Sequence, residues 1–164
     1  MVKIREMKRK YLYKAFLLLV ALNSAIASEL VPFTTDGCSS FPDGNWENHE
    51  LWLECCTAHD FAYWIGGSYQ DRLDADNALQ ECVSDVGEHF VGIFMLAGVR
   101  IGGTPFLPTS FRWGYGWPYP RAYADPTDKE LEQLRKYIDQ QTDSTLKAHY
   151  REHLKRKASN NTLK

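Results

Sequence analysis

Between Glu50 and Trp64, the side chains of Cys56, His59, Asp60 and Tyr63 recur at i, i+3, i+4 and i+7, the spacing of residues that share one face of an α-helix. Between Tyr69 and Val83 the same rhythm joins Arg72, Ala75, Asp76, Leu79, Cys82 and Val83. The break at Gly66-Gly67-Ser68 is short enough to fold the two segments into an antiparallel helical hairpin. A third, apolar segment runs from Gly87 to Gly103, interrupted by Arg100. Its length suits a core helix better than a membrane span. Gly92 and Gly98 predict close helix packing, and Gly102-Gly103 its end. Thr104 to Tyr123 is rich in aromatic residues, glycine and proline, and predicts an irregular packed flap over the outer face of the hairpin. After Pro126, Thr127-Asp128-Lys129-Glu130 opens a charged helix capped by Thr127 or Asp128, with Leu131, Leu134 and Ile138 as its apolar side. This helix and the basic tail from Lys147, partly helical and fraying at Ser159, are expected to be peripheral. The fold class is mainly α.

The hairpin has a checkable register, because facing residues of an antiparallel pair have a constant number sum. Cys55 with Cys82 and Ala62 with Ala75 both give 137. The two cysteines can therefore face each other at the Cα separation of about 4.4 to 6.8 Å that a disulfide needs. His59 and Asp76 fall between these points, offset by about 3 Å along the axis, so Asp76 can hydrogen-bond the imidazole. A histidine oriented by a buried carboxylate suits a general base that takes a proton from water. Asp60 points roughly 100° away around the helix and is free for another task, that of a hard-cation ligand beside a carbonyl-lined loop. The candidate loop is Asp36-Gly37-Cys38-Ser39-Ser40-Phe41-Pro42-Asp43-Gly44, and a bridge from Cys38 to the first helix would pin it beside His59 and Asp60.

Composition changes the picture at the amino terminus. Lys3, Arg5, Lys8, Arg9, Lys10 and Lys14 precede an apolar run from Ala15 to Leu22, and Ala25-Ile26-Ala27 follows, the pattern of a signal peptide over residues 1–27 cleaved before Ser28. The predicted product is exported, either secreted or periplasmic. Export favours disulfides over thiols or zinc ligands for the four cysteines. They allow three connectivities, of which pairing adjacent Cys55 and Cys56 is the least plausible. Cleavage leaves 137 residues with 13 basic and 20 acidic side chains, a net charge of −7 against −2 for the whole chain. So acidic a chain is a poor candidate for nucleic-acid binding, and its long-range attraction to anionic membranes is weak.

The stretch Cys55-Cys56-Thr57-Ala58-His59-Asp60-Phe61-Ala62-Tyr63 follows the pattern C-C-x-x-H-D-x-x-Y, and Asp76 stands six residues before Cys82. In these residues the chain resembles the secreted phospholipase A2 family, over about 48 positions from Asp36 to Val83. The resemblance implies disulfides Cys38–Cys56 and Cys55–Cys82. Past the signal peptide, the chain is divided into a phospholipase A2-like domain over residues 28–126, which includes the aromatic flap, and a charged C-terminal helix and basic tail over 127–164. The resemblance also implies catalytic roles for His59, Asp76 and Tyr63, with His59 activating water, Asp76 orienting it and the Tyr63 hydroxyl supporting Asp76. Ca²⁺ would be held by Asp60 and by carbonyls near Gly37, Ser39 and Phe41. The implied reaction is calcium-dependent hydrolysis of the sn-2 acyl ester at a phospholipid membrane or micelle surface. Many animal members carry a further disulfide at the positions of Ala62 and Ala75, which here are lost together. The family's metal loop is usually C-G-x-G-G, whereas Ser39 and Ser40 stand in this one and curl less freely around an ion. That departure supports the alternative, a non-catalytic lipid- or protein-binding scaffold. Arg72 is expected on the hairpin surface or in an ion pair.

Overall fold

The structure is a computed structural model and describes residues 29–162. The signal-peptide segment lies outside the described residues. Among them are five helices and no strands: α1 (Leu53–Ile65), α2 (Tyr69–Asp85), α3 (His89–Gly102), α4 (Asp128–Gln140) and α5 (Ser144–Thr162). No helix among the described residues is long and apolar enough to cross a membrane.

α1 stops at Gly66, whose φ of 73° is a conformation that glycine adopts without strain. Ser68 then starts α2 through a capping box. Its hydroxyl accepts the Asp71 N–H while the Asp71 carboxylate takes the Ser68 N–H. The two helices run antiparallel. A disulfide joins Cys55 to Cys82 with the Cα atoms 5.7 Å apart, and at the other end the Arg72 guanidinium donates to the Tyr63 hydroxyl at 3.1 Å. Cys38 pairs with Cys56, so both adjacent cysteines of α1 are used, one on α2 and one on the loop before α1. The pairing matches the one implied by the family resemblance.

α3 lies on α2. A Cβ at Gly92 would stand 2.8 Å from the Gln80 carbonyl oxygen, so the two backbones approach in a way that only glycine permits. Gly98 meets nothing within 4 Å and instead borders a cavity, contrary to the packing role expected of it. Nor is α3 a core helix. Gly92 and Met95 are buried, but Phe90, Phe94 and Ile101 are 76 %, 67 % and 81 % exposed. The reason is geometric, since an apolar run tells how much hydrophobic surface a helix carries and not how much of it finds a partner.

The aromatic segment is irregular and well packed, and it finishes the end of α1. The N–H groups of Gly114 and Gly116 donate to the carbonyls of Tyr63 and Trp64, and the Trp117 indole donates to Ile65. These carbonyls are among those that a helix terminus leaves without intrahelical partners. Trp113 and Trp117 are buried, while Phe106, Phe111 and Tyr119 face outward. Thr127 caps α4 in a second capping box, closed by Glu130. α4 and α5 are not peripheral. Leu134, Ile138, Leu146 and Tyr150 form one core cluster with Phe61, Trp64 and Trp117. α1 buries side chains on opposite sides, His59 and Tyr63 toward α2 and Phe61, Trp64 and Ile65 away from it. That second face needs the apolar stripes of the charged helices to cover it.

Candidate active site

Asp76 projects from α2 with no exposed surface. Its Oδ1 lies 3.0 Å from His59 Nε2 and accepts the Tyr63 hydroxyl proton at 2.7 Å. A carboxylate can only accept, so the neutral imidazole carries its proton on Nε2 and keeps the lone pair on Nδ1. That lone pair is on the side of Asp60, whose Oδ1 is 4.0 Å away. Tyr63 donates to Asp76 and accepts from Arg72, which fixes the direction of its single proton. Burial and the negative charge of Asp76 push the Tyr63 phenol well above its usual value, so it remains a donor throughout the working range.

Asp60 stands beside this pair. Its Oδ2 accepts from the Thr35 hydroxyl at 2.7 Å, and the same hydroxyl accepts the Gly37 N–H at 3.1 Å. Thr35 thus ties the α1 carboxylate to the loop. Burial pushes Asp60 up to about 6, against the opposing pull of the Thr35 hydrogen bond and His59. A desolvated carboxylate held above its usual range is the kind of group that an added cation would hold ionised. The loop itself is fixed. The Cys38–Cys56 bond pins it to α1, the Cys38 N–H donates to Asp43 at 2.8 Å, and the Trp52 indole donates to the Pro42 carbonyl at 2.6 Å. Ser39 sits at φ 56°, so the chain turns through the left-handed region without a glycine there.

His59, Asp60, Tyr63, Gly37, Ser39 and Phe41 all border one cavity of 360 Å³. Asp76 lies behind His59, outside the cavity lining. Apart from Ser40, the rest of the wall is apolar, with Leu79, Phe94, Met95, Val99 and Phe111 as its larger side chains. Comparison with models of known protein families, with curated proteins and with solved structures returned no match.

The donors present can be weighed against calcium, a hard cation that takes oxygen ligands. Asp60 and a loop whose residues 37, 39 and 41 share its cavity fit in kind, as one carboxylate with backbone oxygens. Among the described residues, no three His, Cys, Asp or Glu side chains gather as a metal group. Within the loop, Asp43 Oδ1 accepts the Cys38 N–H.

Two residues of the site, Thr35 and Arg100, escaped the sequence pattern, and a third, Arg72, was anticipated only in part. Thr35 precedes the loop motif by one residue. Arg72, expected at the surface or in an ion pair, is only 4 % exposed; it forms an ion pair with Asp76 at 3.9 Å and donates to Tyr63, to the Tyr123 hydroxyl and to the carbonyls of Val99 and Arg100. Its position on the same helical face as Asp76 was the available signal. Although burial works against its charge, the hydrogen bonds to Tyr63 and Tyr123 hold Arg72 above its ordinary value. Arg100 reaches back from α3 to place Nε 3.0 Å from Asp76 Oδ2. Its signal was a lone charge inside an apolar run.

Proposed function

We propose that the protein is an exported, calcium-dependent hydrolase of phospholipid acyl esters, built on a phospholipase A2-like hairpin. The observation that carries this is His59, held by Asp76 through Nε2, with Nδ1 on the side of Asp60 in an apolar cavity. A water at Nδ1 loses a proton to the imidazole as its oxygen attacks the ester carbonyl carbon. The His59 proton then passes to the departing alkoxide oxygen as the acyl C–O bond breaks, which yields a fatty acid and a lysophospholipid and restores the neutral ring. Asp76 and Tyr63 keep the ring in register through both transfers. Calcium, held by Asp60 with backbone oxygens of residues 37, 39 and 41, would supply positive charge for the oxygen of the ester carbonyl.

The wall of Leu79, Phe94, Met95, Val99 and Phe111 suits an acyl chain. Phe94 and Phe111 both line the cavity and remain exposed at its rim, beside the outward face of α3 that carries Phe90 and Ile101. Whatever covers that face also covers the cavity mouth. A lipid surface is the occupant that covers the mouth and delivers substrate to it.

The test is fatty-acid release from mixed phospholipid vesicles by the oxidised protein, with calcium or chelator, beside His59→Ala. Calcium-dependent release that disappears in the variant is the expected result. Release by the variant equal to that of the folded wild type, or none by either, would sink the hydrolase and leave a non-catalytic scaffold.

A further inference from the structure

We propose that Arg100 is a positioning residue that locks the Asp76 carboxylate in the orientation His59 needs; the assignment rests on the hydrolase proposed above.

Asp76 is fully buried, and a buried carboxylate without a cation is strongly disfavoured. The groups that face it are His59 and Tyr63 from α1, Arg72 from α2 itself and Arg100 from α3. His59 and Tyr63 both meet Oδ1, so the two oxygens are not equivalent. Oδ2 accepts no aligned hydrogen bond, yet Arg100 Nε lies 3.0 Å from it as an ion pair, while Arg72 Nε is 3.9 Å away. Arg72 is committed elsewhere, its donors taken by two tyrosine hydroxyls and two carbonyls.

Arg100 is anchored independently of Asp76. Its Nη2 donates to the Leu73 carbonyl at 3.1 Å and to Asn77 Oδ1 at 2.8 Å, both on α2, while Nε has no other partner. Held from its far end, the guanidinium presents a fixed positive charge to Oδ2. Rotation of the carboxylate would then bring Oδ1 and its two donors into competition with that charge. With the rotation blocked, Oδ1 stays on His59 Nε2 and the Nδ1 lone pair stays on the side of Asp60. A lysine could supply the charge but not the fork, since one ammonium cannot serve Asn77, Leu73 and Asp76 from the positions that separate guanidinium nitrogens occupy.

A residue that merely staples α3 to α2 would affect stability alone, so the test uses readouts that stability does not move. Arg100→Gln, Arg100→Lys and Asn77→Ala are compared with wild type for kcat and KM on mixed phospholipid vesicles with calcium. The imidazole ¹⁵N spectrum at pH 8 reports the His59 tautomer without any turnover. Arg100→Gln is expected to lower kcat by about 10- to 100-fold, the range for loss of a group that orients a site residue, with KM within about twofold. Arg100→Lys should recover part of that loss. The wild-type spectrum should show His59 as a single tautomer protonated on Nε2, and Arg100→Gln a mixture. Asn77→Ala, which loosens the anchor and keeps the charge, should fall between. A folded Arg100→Gln with wild-type kcat and one unchanged tautomer would overturn the assignment. If Arg100→Gln does not fold, a folded Arg100→Lys with wild-type kcat and spectrum would overturn it equally. An inactive wild type would count against the hydrolase alone, because the tautomer comparison still decides the role of Arg100.

Discussion

Replacing Asp76 by asparagine changes almost no volume but reverses the electrostatics of the hairpin interior. The amide oxygen can still accept from Tyr63 and face His59 Nε2, as Oδ1 does now. The amide NH₂ then occupies the place of Oδ2, where it confronts Arg100 Nε at 3.0 Å and Arg72 Nε at 3.9 Å, a donor set against donors. Two guanidinium groups also lose the carboxylate they share. Breaking a buried pair by removing one partner costs about 3 to 5 kcal/mol. The Arg100 side chain is 31 % exposed and can turn partly to water, whereas Arg72 is enclosed, so the lower part of that range is expected, about 3 kcal/mol. Urea unfolding of oxidised wild type and Asp76→Asn, with equal m-values, measures it. The double variant Asp76→Asn with Arg100→Gln should recover at least ~1 kcal/mol of that loss, the signature of coupling between neighbours. A single variant within about 0.5 kcal/mol of wild type, the range typical of plain surface changes, would refute the view of Asp76 as the charge centre of the hairpin.

Glu130 offers a pH test away from the site. Burial pushes its carboxyl up, but the Arg121 guanidinium and the Thr127 cap outweigh it and bring it down to about 2 from 4.5. Because the folded value is depressed, the unfolded chain binds more protons between those limits. The stabilisation is therefore complete above pH 4.5 and lost as pH falls toward 2. Glu130→Gln, which keeps the capping geometry, should unfold about 2 to 3 kcal/mol more easily at pH 7 and match wild type near pH 2. For the metal, calcium at about 100 times its dissociation constant should stabilise wild type by about 2.7 kcal/mol, and chelator or Asp60→Asn should abolish the thermal shift. On α3, Phe90→Ser with Phe94→Ser should leave the melting temperature unchanged within about 3 °C and weaken sedimentation with zwitterionic vesicles at least ~10-fold. Unchanged sedimentation would place lipid contact elsewhere.

The hairpin was legible because helical spacing and number sums constrain an antiparallel pair from both sides. The register that set Cys55 opposite Cys82 also set His59 near Asp76, and both contacts are present. Legibility failed where a contact depends on a distant element. Nothing in the period of α4 says that its Leu134 and Ile138 meet Phe61 and Trp64, because a narrow apolar stripe is equally consistent with shallow surface packing. Arg100 was visible as an interruption, but its partner on α2 follows from the crossing of α3 over α2, which the sequence pattern does not contain. Thr35 gave weaker notice still, since a threonine ahead of a turn ordinarily bonds within the turn.

These later elements also explain why the hairpin is not sufficient for its own site. One disulfide and a tight link hold α1 and α2 together, yet the pair would leave Asp76 exposed on the side that α3 now covers. Arg72 joins the parts. Its donors bind Tyr63 of α1, Tyr123 of the segment beyond α3 and the carbonyls of Val99 and Arg100 at the end of α3. At that same end the Tyr63 ring packs so closely on Gly103 that any side chain there would collide with it. The end of α3, the aromatic segment and the Asp76 network therefore share contacts, and loosening any one of them removes an anchor from the others. A disturbance in the aromatic segment, such as Tyr123→Ala, should accordingly reach His59 through Arg72 and Tyr63, although Tyr123 belongs to neither the cavity wall nor the dyad.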